Sequence, residues 1–392
     1  MSEPTLTARL GALALVAPLA LFLALFFVWP LASMLRQSVL DPVGSQAFPA
    51  TAKIASAWDR RSDPPDALKR AFVDDLRAIE DQQLLGDATR RLNSAQNGFR
   101  TLMSRTVRAL ADEPGPIDLV AVDKRWADSR FWRAIADSTH LYTDRYLLAA
   151  VDHARNPAGD VESLPAGESA NRVILMRTLG IGALVTLACA LIGLPYAMLA
   201  ASVEGWKRQL LLAAVLLPLW TSLLVRTAAW FILLQEKGLI NETLMALGLV
   251  ASPLPLIFNR LGVVIAMTHV LLPFMVLPIY SVLLSIPRNL MPAAASLGAP
   301  PWRAFLRVLL PLSLRGVVSG SLLVFMSAIG YYITPALIGG AQDQMISSVI
   351  AFYAIGSANW GMAGALGAIL LVATLALYAV YGRLSSDPVV SR

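Results

Sequence analysis

The stretch that decides the fold is Asn289–Pro311, which reads NLMPAAASLGAPPWRAFLRVLLP and joins two uncharged segments long enough to cross a lipid bilayer. It is therefore a loop between membrane spans, but its residues are those of ordered structure. The alanines Ala293 to Ala295 favour a helix, and Gly298 permits a sharp turn after it. The first half of the loop is predicted to be a short helix that ends at a glycine.

The second half of this loop carries the signals of a second helix. Pro300 and Pro301 are typical of a helix start, where the missing N–H of proline costs no hydrogen bond. Arg303 and Arg307 then lie one turn apart, and we expect Pro311 to interrupt the helix before the next span. The whole loop is predicted to be a basic helix–glycine–helix element that a partner outside the membrane grips.

Composition places the chain among integral membrane proteins. Of its 392 residues 56% are hydrophobic and only 15% are charged, whereas soluble domains are about 25% charged. The sole cysteine, Cys189, excludes a disulfide within the chain. The net charge of +6 does not indicate nucleic acid, because basic and acidic residues nearly balance between Leu40 and Val173 and the surplus lies around the apolar runs.

The apolar runs predict an all-α, polytopic fold with six transmembrane helices. These runs are Leu10–Leu35, Thr178–Val203, Gln209–Gln235, Leu261–Pro287, Gly316–Ala341 and Met362–Tyr381. The first run is too long for the apolar core of a secretory signal and lacks a clear small-residue cleavage site, so we interpret it as a retained span. We predict three regions: residues 1–39 with the first span, a mainly helical insert at 40–172, and a core at 173–392.

The insert between the first two spans holds most of the charges of the chain. Apolar residues recur in it at helical spacing, and 157–170 is predicted to be a linker. The insert is interpreted as a small helical domain over the outer mouth, and a docking surface for an extracytoplasmic partner is the alternative.

Charge bias predicts the orientation of the spans, because short cytoplasmic loops are enriched in Lys and Arg. One side holds Arg9, Lys207, Arg208, Arg288, Arg303, Arg307, Arg315, Arg383 and Arg392, and the other holds Arg36, Arg177, Lys237 and Arg260. Both termini and the loop at 288–315 are therefore predicted to be cytoplasmic, and the insert extracytoplasmic.

The spans contain few residues that suggest chemistry. No phosphate-binding or metal-binding motif occurs, so we predict no catalytic residue and no metal site. Arg226, near Trp220, either lines a path or extends to the lipid headgroups, and Tyr331 and Thr334 lie either in a broken helix on a path or at a simple kink. Trp220, Arg226, Tyr331 and Thr334 are the candidate path residues.

Residues 292–311 resemble the signature of the permease subunits of ATP-binding-cassette importers. That signature runs Glu-Ala-Ala, a glycine, and a hydrophobic stretch ending near Leu-Pro; here Pro292-Ala293-Ala294, Gly298 and Leu310-Pro311 occupy those places. Ile333–Gly340 (ITPALIGG) and Leu217–Arg226 (LPLWTSLLVR) look like the spermidine/putrescine branch. The resemblance covers Arg177–Arg383 and, by position, the first span, but not residues 40–161.

The resemblance implies a bacterial inner-membrane subunit whose loop at 288–315, the coupling loop, docks in a groove of a cytoplasmic ATPase. It places these residues in the contact: Ala293, Ala294, Gly298, Trp302, Arg303, Phe305 and Pro311. The implied partners are the ATPase subunits, a second permease subunit that is a paralogue rather than a copy, an extracytoplasmic solute-binding protein and the lipid bilayer. ATP would be used by the ATPase, and this chain would bind no cofactor.

Two residues depart from the family pattern. Pro292 replaces the signature glutamate, and Tyr331 stands where the branch often has an aspartate. The predicted spans contain no Asp or Glu, although a carboxylate would favour a cationic polyamine. The expected cargo is thus a small polar solute, polyamine-like or a related amine or opine.

Two other classes of protein compete with the importer subunit. A secondary transporter would be expected to have inverted repeats and titratable groups at mid-membrane, which six spans without carboxylates do not favour. A sensor or docking protein that uses the insert would leave the patterned coupling loop unexplained.

Overall fold

The fold is a computed structural model that describes residues 6–112, 115–156, 159–165, 167 and 170–386. The chain divides into two units. Unit 1 comprises Met1–Ser169 with Tyr353–Ala368, and unit 2 comprises Ala170–Phe352 with Ile369–Arg392. The insert thus falls in unit 1 with the first predicted span, whereas most of the predicted core falls in unit 2.

Unit 1 begins with an apolar helix and continues into a set of short helices. The first helix consists of α1 (Leu6–Leu23), a π-helical turn (Ala24–Val28) and α2 (Trp29–Arg36). The short helices are α3 (Val43–Ala47), α4 (Pro49–Ala55), α5 (Asp66–Ala78), α6 (Gln82–Ala95), α7 (Phe99–Asp112), α8 (Leu119–Val122), a 3-10 turn (Lys124–Ala127), α9 (Ser129–Ser138) and α10 (Arg145–Ala150). The prediction of a mainly helical insert agrees with this description.

A two-stranded hairpin follows α10, and its second strand lies in the segment 157–170 that the sequence predicted to be a linker. Strand β1 (His153–Arg155) pairs antiparallel with β2 (Val161–Ser163). Alternation over three residues is too short to distinguish a strand from a polar linker, which is why the pattern missed it.

Aromatic side chains form the core of the insert. The ring of Phe72 lies 5.1 Å from that of Phe48 and 5.4 Å from that of Trp126, measured between centroids. The two fully buried indoles have hydrogen-bond acceptors: Trp126 donates to Thr106 Oγ1 at 2.9 Å and Trp132 donates to the carbonyl of Trp126 at 2.8 Å. A buried indole needs such an acceptor, so these hydrogen bonds fix how the helices meet.

Unit 2 contains long apolar helices and short connecting ones. They are α11 (Asn171–Ser202), α12 (Gly205–Trp220), α13 (Leu223–Leu233), α14 (Leu239–Ala246), α15 (Arg260–Ser285), α16 (Leu290–Ser296), α17 (Pro301–Ala304), a π-helical turn (Phe305–Leu309), α18 (Leu310–Gly330), α19 (Ile333–Ile338), a 3-10 turn (Ala341–Asp343) and α20 (Ile346–Ala351). A π-helical turn (Phe352–Gly356) precedes α21 (Trp360–Ser386), which runs through residues of both units.

Helices α11, α15 and α18 pack closely because glycines lie where they meet. A Cβ on Gly193 of α11 would approach the side chain of Met275 in α15 to 2.8 Å, and one on Gly182 would approach Phe325 of α18 to 3.2 Å. A Cβ on Gly316 of α18 would lie 2.7 Å from the Cα of Ile279. Small residues at these positions let the backbones approach, as in membrane helix bundles.

Five helices in the described residues are long and apolar enough to cross a membrane. They are Ala14–Arg36, Asn171–Ser202, Arg260–Ser285, Pro301–Gly330 and Trp360–Arg383. The third predicted run is not one straight helix, because α12 and α13 meet at 101°. The side chain of Ser222 accepts a hydrogen bond from the N–H of Val225 and starts the new helix, a local signal that hydropathy does not register. Six spans require this bent pair to cross as one.

The fifth predicted run, Gly316–Ala341, is displaced. The helix that contains its first half begins at Pro301 and ends at Gly330, and the second half holds the separate helix α19. Tyr331 has extended backbone angles at the break. Apolar composition continues across this break, so composition alone placed the span too late.

Pro311 does not interrupt its helix, contrary to the expectation from the sequence. The five residues before α18 form a π-helical turn, in which the N–H of Leu310 donates to the carbonyl of Phe305. Pro311 then occupies the first turn of α18. The wider turn takes up the mismatch that proline creates in an α-helical hydrogen-bond ladder, so the helix runs without a break from Pro301 to Gly330.

Candidate functional site

The coupling loop has the predicted helix–glycine–helix geometry. Helix α16 ends where Gly298 adopts a φ of +80°, in the left-handed region that favours glycine. The N–H of Gly298 donates to the carbonyl of Ala295 at 2.9 Å, and the N–H of Ala299 donates to that of Ala294 at 3.0 Å. This pair of bonds is a Schellman motif, which satisfies two carbonyls that the helix end would leave open.

Pro292, which replaces the signature glutamate, lies in the first turn of α16. That helix begins at Leu290 after the N-cap residue Asn289, so Pro292 is its third residue. The N–H groups of the first turn have no acceptor within a helix, and proline there breaks no internal hydrogen bond. The departure from the family pattern therefore removes a charge while the helix is kept.

The second helix of the coupling loop starts as the prolines predicted. Pro300 is the N-cap residue of α17, and Pro301 is its first residue. Trp302 is 61% exposed, and the guanidinium of Arg303 lies 5.3 Å from the centre of its ring. The two side chains form one exposed aromatic and cationic surface.

The predicted contact residues differ in accessibility. Ala293, Gly298, Trp302, Arg303 and Pro311 are exposed, whereas Ala294 and Phe305 are half-buried.

Sequence reasoning missed Leu297, which precedes the glycine and is 89% exposed. The sequence marked it only as an apolar residue at the end of a short helix, which is not enough to single it out. Leu297 and Trp302 are thus two large, exposed apolar side chains on the same loop, which suits contact with a partner.

The candidate path residues come together in part. Arg226 lies in the first turn of α13, half-buried, and its Nη1 is buried without a hydrogen-bond partner among the described residues. Tyr331 and His269 lie close enough to this guanidinium to interact with its charge. Trp220 is separate, since it ends α12 and is 84% exposed.

Thr334 is buried, and its hydroxyl lies 3.1 Å from the hydroxyl of Thr227. The contact joins α13 to α19 next to Arg226, although the two residues are 107 positions apart in sequence. Thr227 was not predicted, because a threonine after an arginine in an apolar run carries no distinguishing signal.

Trp230 makes a specific polar contact. Its indole N–H donates to Nδ1 of His269 at 3.1 Å, with ring centroids 5.4 Å apart. This bond requires the imidazole Nδ1 to be an acceptor. The hydrogen bond joins α13 to α15, close to Arg226 in sequence.

Comparisons with known proteins match the same part of the chain. Residues 193–387 match the family model for the binding-protein-dependent transport system inner membrane component. The spermidine/putrescine transport system permease protein PotB of Escherichia coli K12 is 34% identical over 212 residues, covering 54% of this chain and 77% of PotB. The inner membrane ABC transporter permease protein YdcU of the same organism is 32% identical over 255 residues, covering 62% of this chain and 74% of YdcU.

A solved structure is similar at a lower level. A chain of the bacterial alginate ABC transporter, crystallised with a periplasmic protein bound to alginate pentasaccharide, gives a TM-score of 0.46 at 17% identity. The match covers 55% of this chain and 78% of that chain.

Proposed function

The chain belongs to the family of binding-protein-dependent transport system inner membrane components, and we propose that it is a permease subunit of an ATP-driven importer. In this proposal it is not an enzyme and binds no cofactor: ATP is hydrolysed by separate cytoplasmic subunits that grip the coupling loop. A second permease subunit, a paralogue of this chain, completes the path. An extracytoplasmic binding protein delivers the solute.

One observation carries the proposal: the Schellman turn at Gly298 presents apolar and cationic side chains on one loop. Leu297 and Trp302 are large apolar residues that are exposed, and the guanidinium of Arg303 lies over the ring of Trp302. Aromatic residues and arginine are enriched where protein interfaces are energetically strongest. A change of contact at this loop would couple the ATPase to the helices of unit 2, because coupling requires contacts that differ between two states.

The test is Gly298→Pro in the assembled importer. Proline fixes φ near −65°, cannot adopt the +80° of this turn and removes the N–H that bonds to Ala295. We expect uptake and transport-linked ATP hydrolysis to be lost while the subunit still inserts in the membrane.

Gly248→Pro is the matched control. Gly248 follows α14 with a φ of +69°, and its N–H and that of Leu249 donate to Met245 and Leu244 in the same pattern. This second Schellman turn lies outside the coupling loop, so its loss should leave ATP hydrolysis coupled. Unchanged uptake and ATP hydrolysis in Gly298→Pro would contradict the role proposed for the coupling loop.

For the solute we propose a small polar amine, polyamine-like or a related opine. The likeness to PotB supports an amine. The candidate spans contain no Asp or Glu, so a cationic group would rely on hydroxyls, carbonyls and aromatic faces rather than on a carboxylate of this chain. Arg226, Tyr331 and Thr334 are the proposed path residues. Uptake that persists without ATP and collapses with the proton gradient would indicate a secondary transporter instead.

The chain is a multi-pass inner-membrane protein. We propose that both termini and the coupling loop are cytoplasmic and that residues 40–172 are extracytoplasmic, which the distribution of Lys and Arg supports. Cysteine labelling from either side of the membrane, at Ser296 and at Ser62, tests this orientation. Both serines are exposed, and only the second should react from outside.

A further inference from the structure

The insert has a groove between α6 and α7 with an apolar floor and a basic rim. Its volume is about 510 Å³. Leu85, Met103 and Val107 contribute to the floor, and Arg100 and Arg108 stand at the rim. The apolar floor accepts aliphatic side chains, and the rim attracts negative charge.

Several charges of α6 and α7 are already paired within the insert, but two of the arginines are not. Arg90 pairs with Asp87, and Arg105 pairs with Asp123 at 3.0 Å. In the described part of the chain, the guanidinium groups of Arg100 and Arg108 make no ion pair and no hydrogen bond, not even with Asp112 one turn beyond Arg108 on the same helix. Two neighbouring arginines without counter-charges favour an external partner that supplies carboxylates.

The two arginines form a ridge. Arg100, Ser104 and Arg108 are four residues apart along α7, so they share one face and the arginines lie about 12 Å apart along the axis. A second groove, of about 540 Å³, runs along the other side of the same ridge. The arginines are thus accessible from both sides.

The composition of this face favours a protein over a lipid surface. Membrane-surface helices place Trp, Phe or Leu among their basic residues so that these enter the headgroup layer. The one aromatic residue between Asp81 and Asp112 is Phe99, and it is fully buried. The floor of the groove is recessed, which suits side chains projecting from a folded partner.

We propose that the α6–α7 groove docks an acidic face of the solute-binding protein of the importer. Carboxylates of that protein pair with Arg100 and Arg108, and its aliphatic side chains enter the groove. This assignment rests on the proposed function and on the predicted extracytoplasmic side of the insert. It gives the insert, which lies outside the family match, a part in capturing the loaded binding protein.

The experiment measures binding of the solute-binding protein to the complete importer in lipid nanodiscs. In Arg100→Glu/Arg108→Glu the association rate should fall at least about tenfold, because opposite charges on an interface rim mainly accelerate encounter. Raising salt from about 50 to about 300 mM should weaken binding by the native importer and have little effect on the variant. Ser104→Trp, which obstructs the ridge without a charge change, should also weaken binding.

The matched control is Arg61→Glu/Arg70→Glu, which reverses two exposed arginines of the insert outside the groove. If both double variants bind equally weakly, the total charge of the insert explains the loss of binding, and the assignment to the groove is overturned. The assignment is also overturned if Arg100→Glu/Arg108→Glu binds the solute-binding protein with native affinity. It is overturned as well if this variant loses only the binding of phosphatidylglycerol vesicles. ATP-driven uptake at saturating binding protein should persist in every variant. If the native importer showed no ATP-driven uptake, the importer function itself would be refuted.

Discussion

The core of the insert in unit 1 is made of large aromatic side chains, whereas α11, α15 and α18 of unit 2 meet at glycines. Phe72, Trp126 and Trp132 fill the first core. Gly182, Gly193 and Gly316 lie in the second, and each would bring a Cβ into close contact with a neighbouring helix. One chain therefore uses two packing strategies.

The difference follows from the solvent around each unit. In water, burying aromatic area is a large source of stability. In lipid the hydrophobic effect between helices is weak, and close backbone packing replaces it. The family match lies almost wholly in the glycine-packed unit, and the aromatic core lies outside that match.

Phe72→Ala is expected to have the largest effect and to be confined to the insert. Phe72 is fully buried among aromatic rings, and removing such a side chain costs about 3–5 kcal/mol. Hydrogen exchange in the full chain should accelerate in α5, α7 and α9 and stay native in α15 and α18. Val120→Ala, at an exposed apolar position of the insert, is the control. Equal acceleration in α15 would mean that the two packing systems are not independent.

Gly316→Ala should have the second largest effect, in unit 2. Its Cβ would lie 2.7 Å from the Cα of Ile279 and 3.0 Å from the carbonyl oxygen of Pro278, and backbone atoms do not move aside as a flexible side chain does. We expect a loss of about 1–3 kcal/mol, seen as a lower melting temperature in detergent. Gly330→Ala on the same helix meets nothing within 4 Å and should melt like the native protein. A native melting temperature in Gly316→Ala would refute close packing at this site.

Asp123→Asn should have the smallest effect, and it should depend on pH. The carboxylate accepts from Arg125 at 2.7 Å and Arg105 at 3.0 Å, and these hydrogen bonds hold the pKa of Asp123 well below its usual value of 3.8. The stabilisation is thus complete above the unfolded pKa and is lost as pH falls through the folded one. At neutral pH we expect a loss of about 1–2 kcal/mol in the free energy of unfolding of the insert.

The measurement for Asp123 is the stability difference between native and variant protein as a function of pH. It should be constant from pH 7 to about 5 and shrink below about 4. Asp128→Asn, at the more exposed pair with Arg130, is the control and should cost less. A difference that grows on acidification would contradict the sign assigned to this carboxylate.

The sequence predicted the features that depend on residues close together in the chain. The helix–glycine–helix element follows from Gly298 and the prolines at 300 and 301, and the long apolar helices follow from hydropathy. The bend at Ser222 was missed, because it lies inside a run of uniform hydropathy and depends on a single capping residue. The break after Gly330 was expected from the Gly, Tyr and Pro residues at 330–335, but the run of apolar residues across it placed the span too late.

The candidate path was less predictable than the coupling loop. The contact of Thr227 with Thr334 and that of Trp230 with His269 join residues far apart in the chain. No local pattern encodes such pairs, since they depend on how helices cross. Arg226 was recognisable because a charge in an apolar run is rare, but its neighbours were not.

The uninterrupted helix from Pro301 to Gly330 has a mechanical consequence. Its 30 residues span about 45 Å, with Trp302 at one end and the break before Tyr331 at the other. In the proposed importer this helix would transmit a displacement of the coupling loop to the bundle. The π-helical turn sets the rotation of Trp302 relative to the packed part of the helix, because each residue in a helix turns it by roughly a hundred degrees. Deleting a single residue between Phe305 and Leu309 would keep the helix continuous but rotate Trp302 away from the proposed ATPase contact.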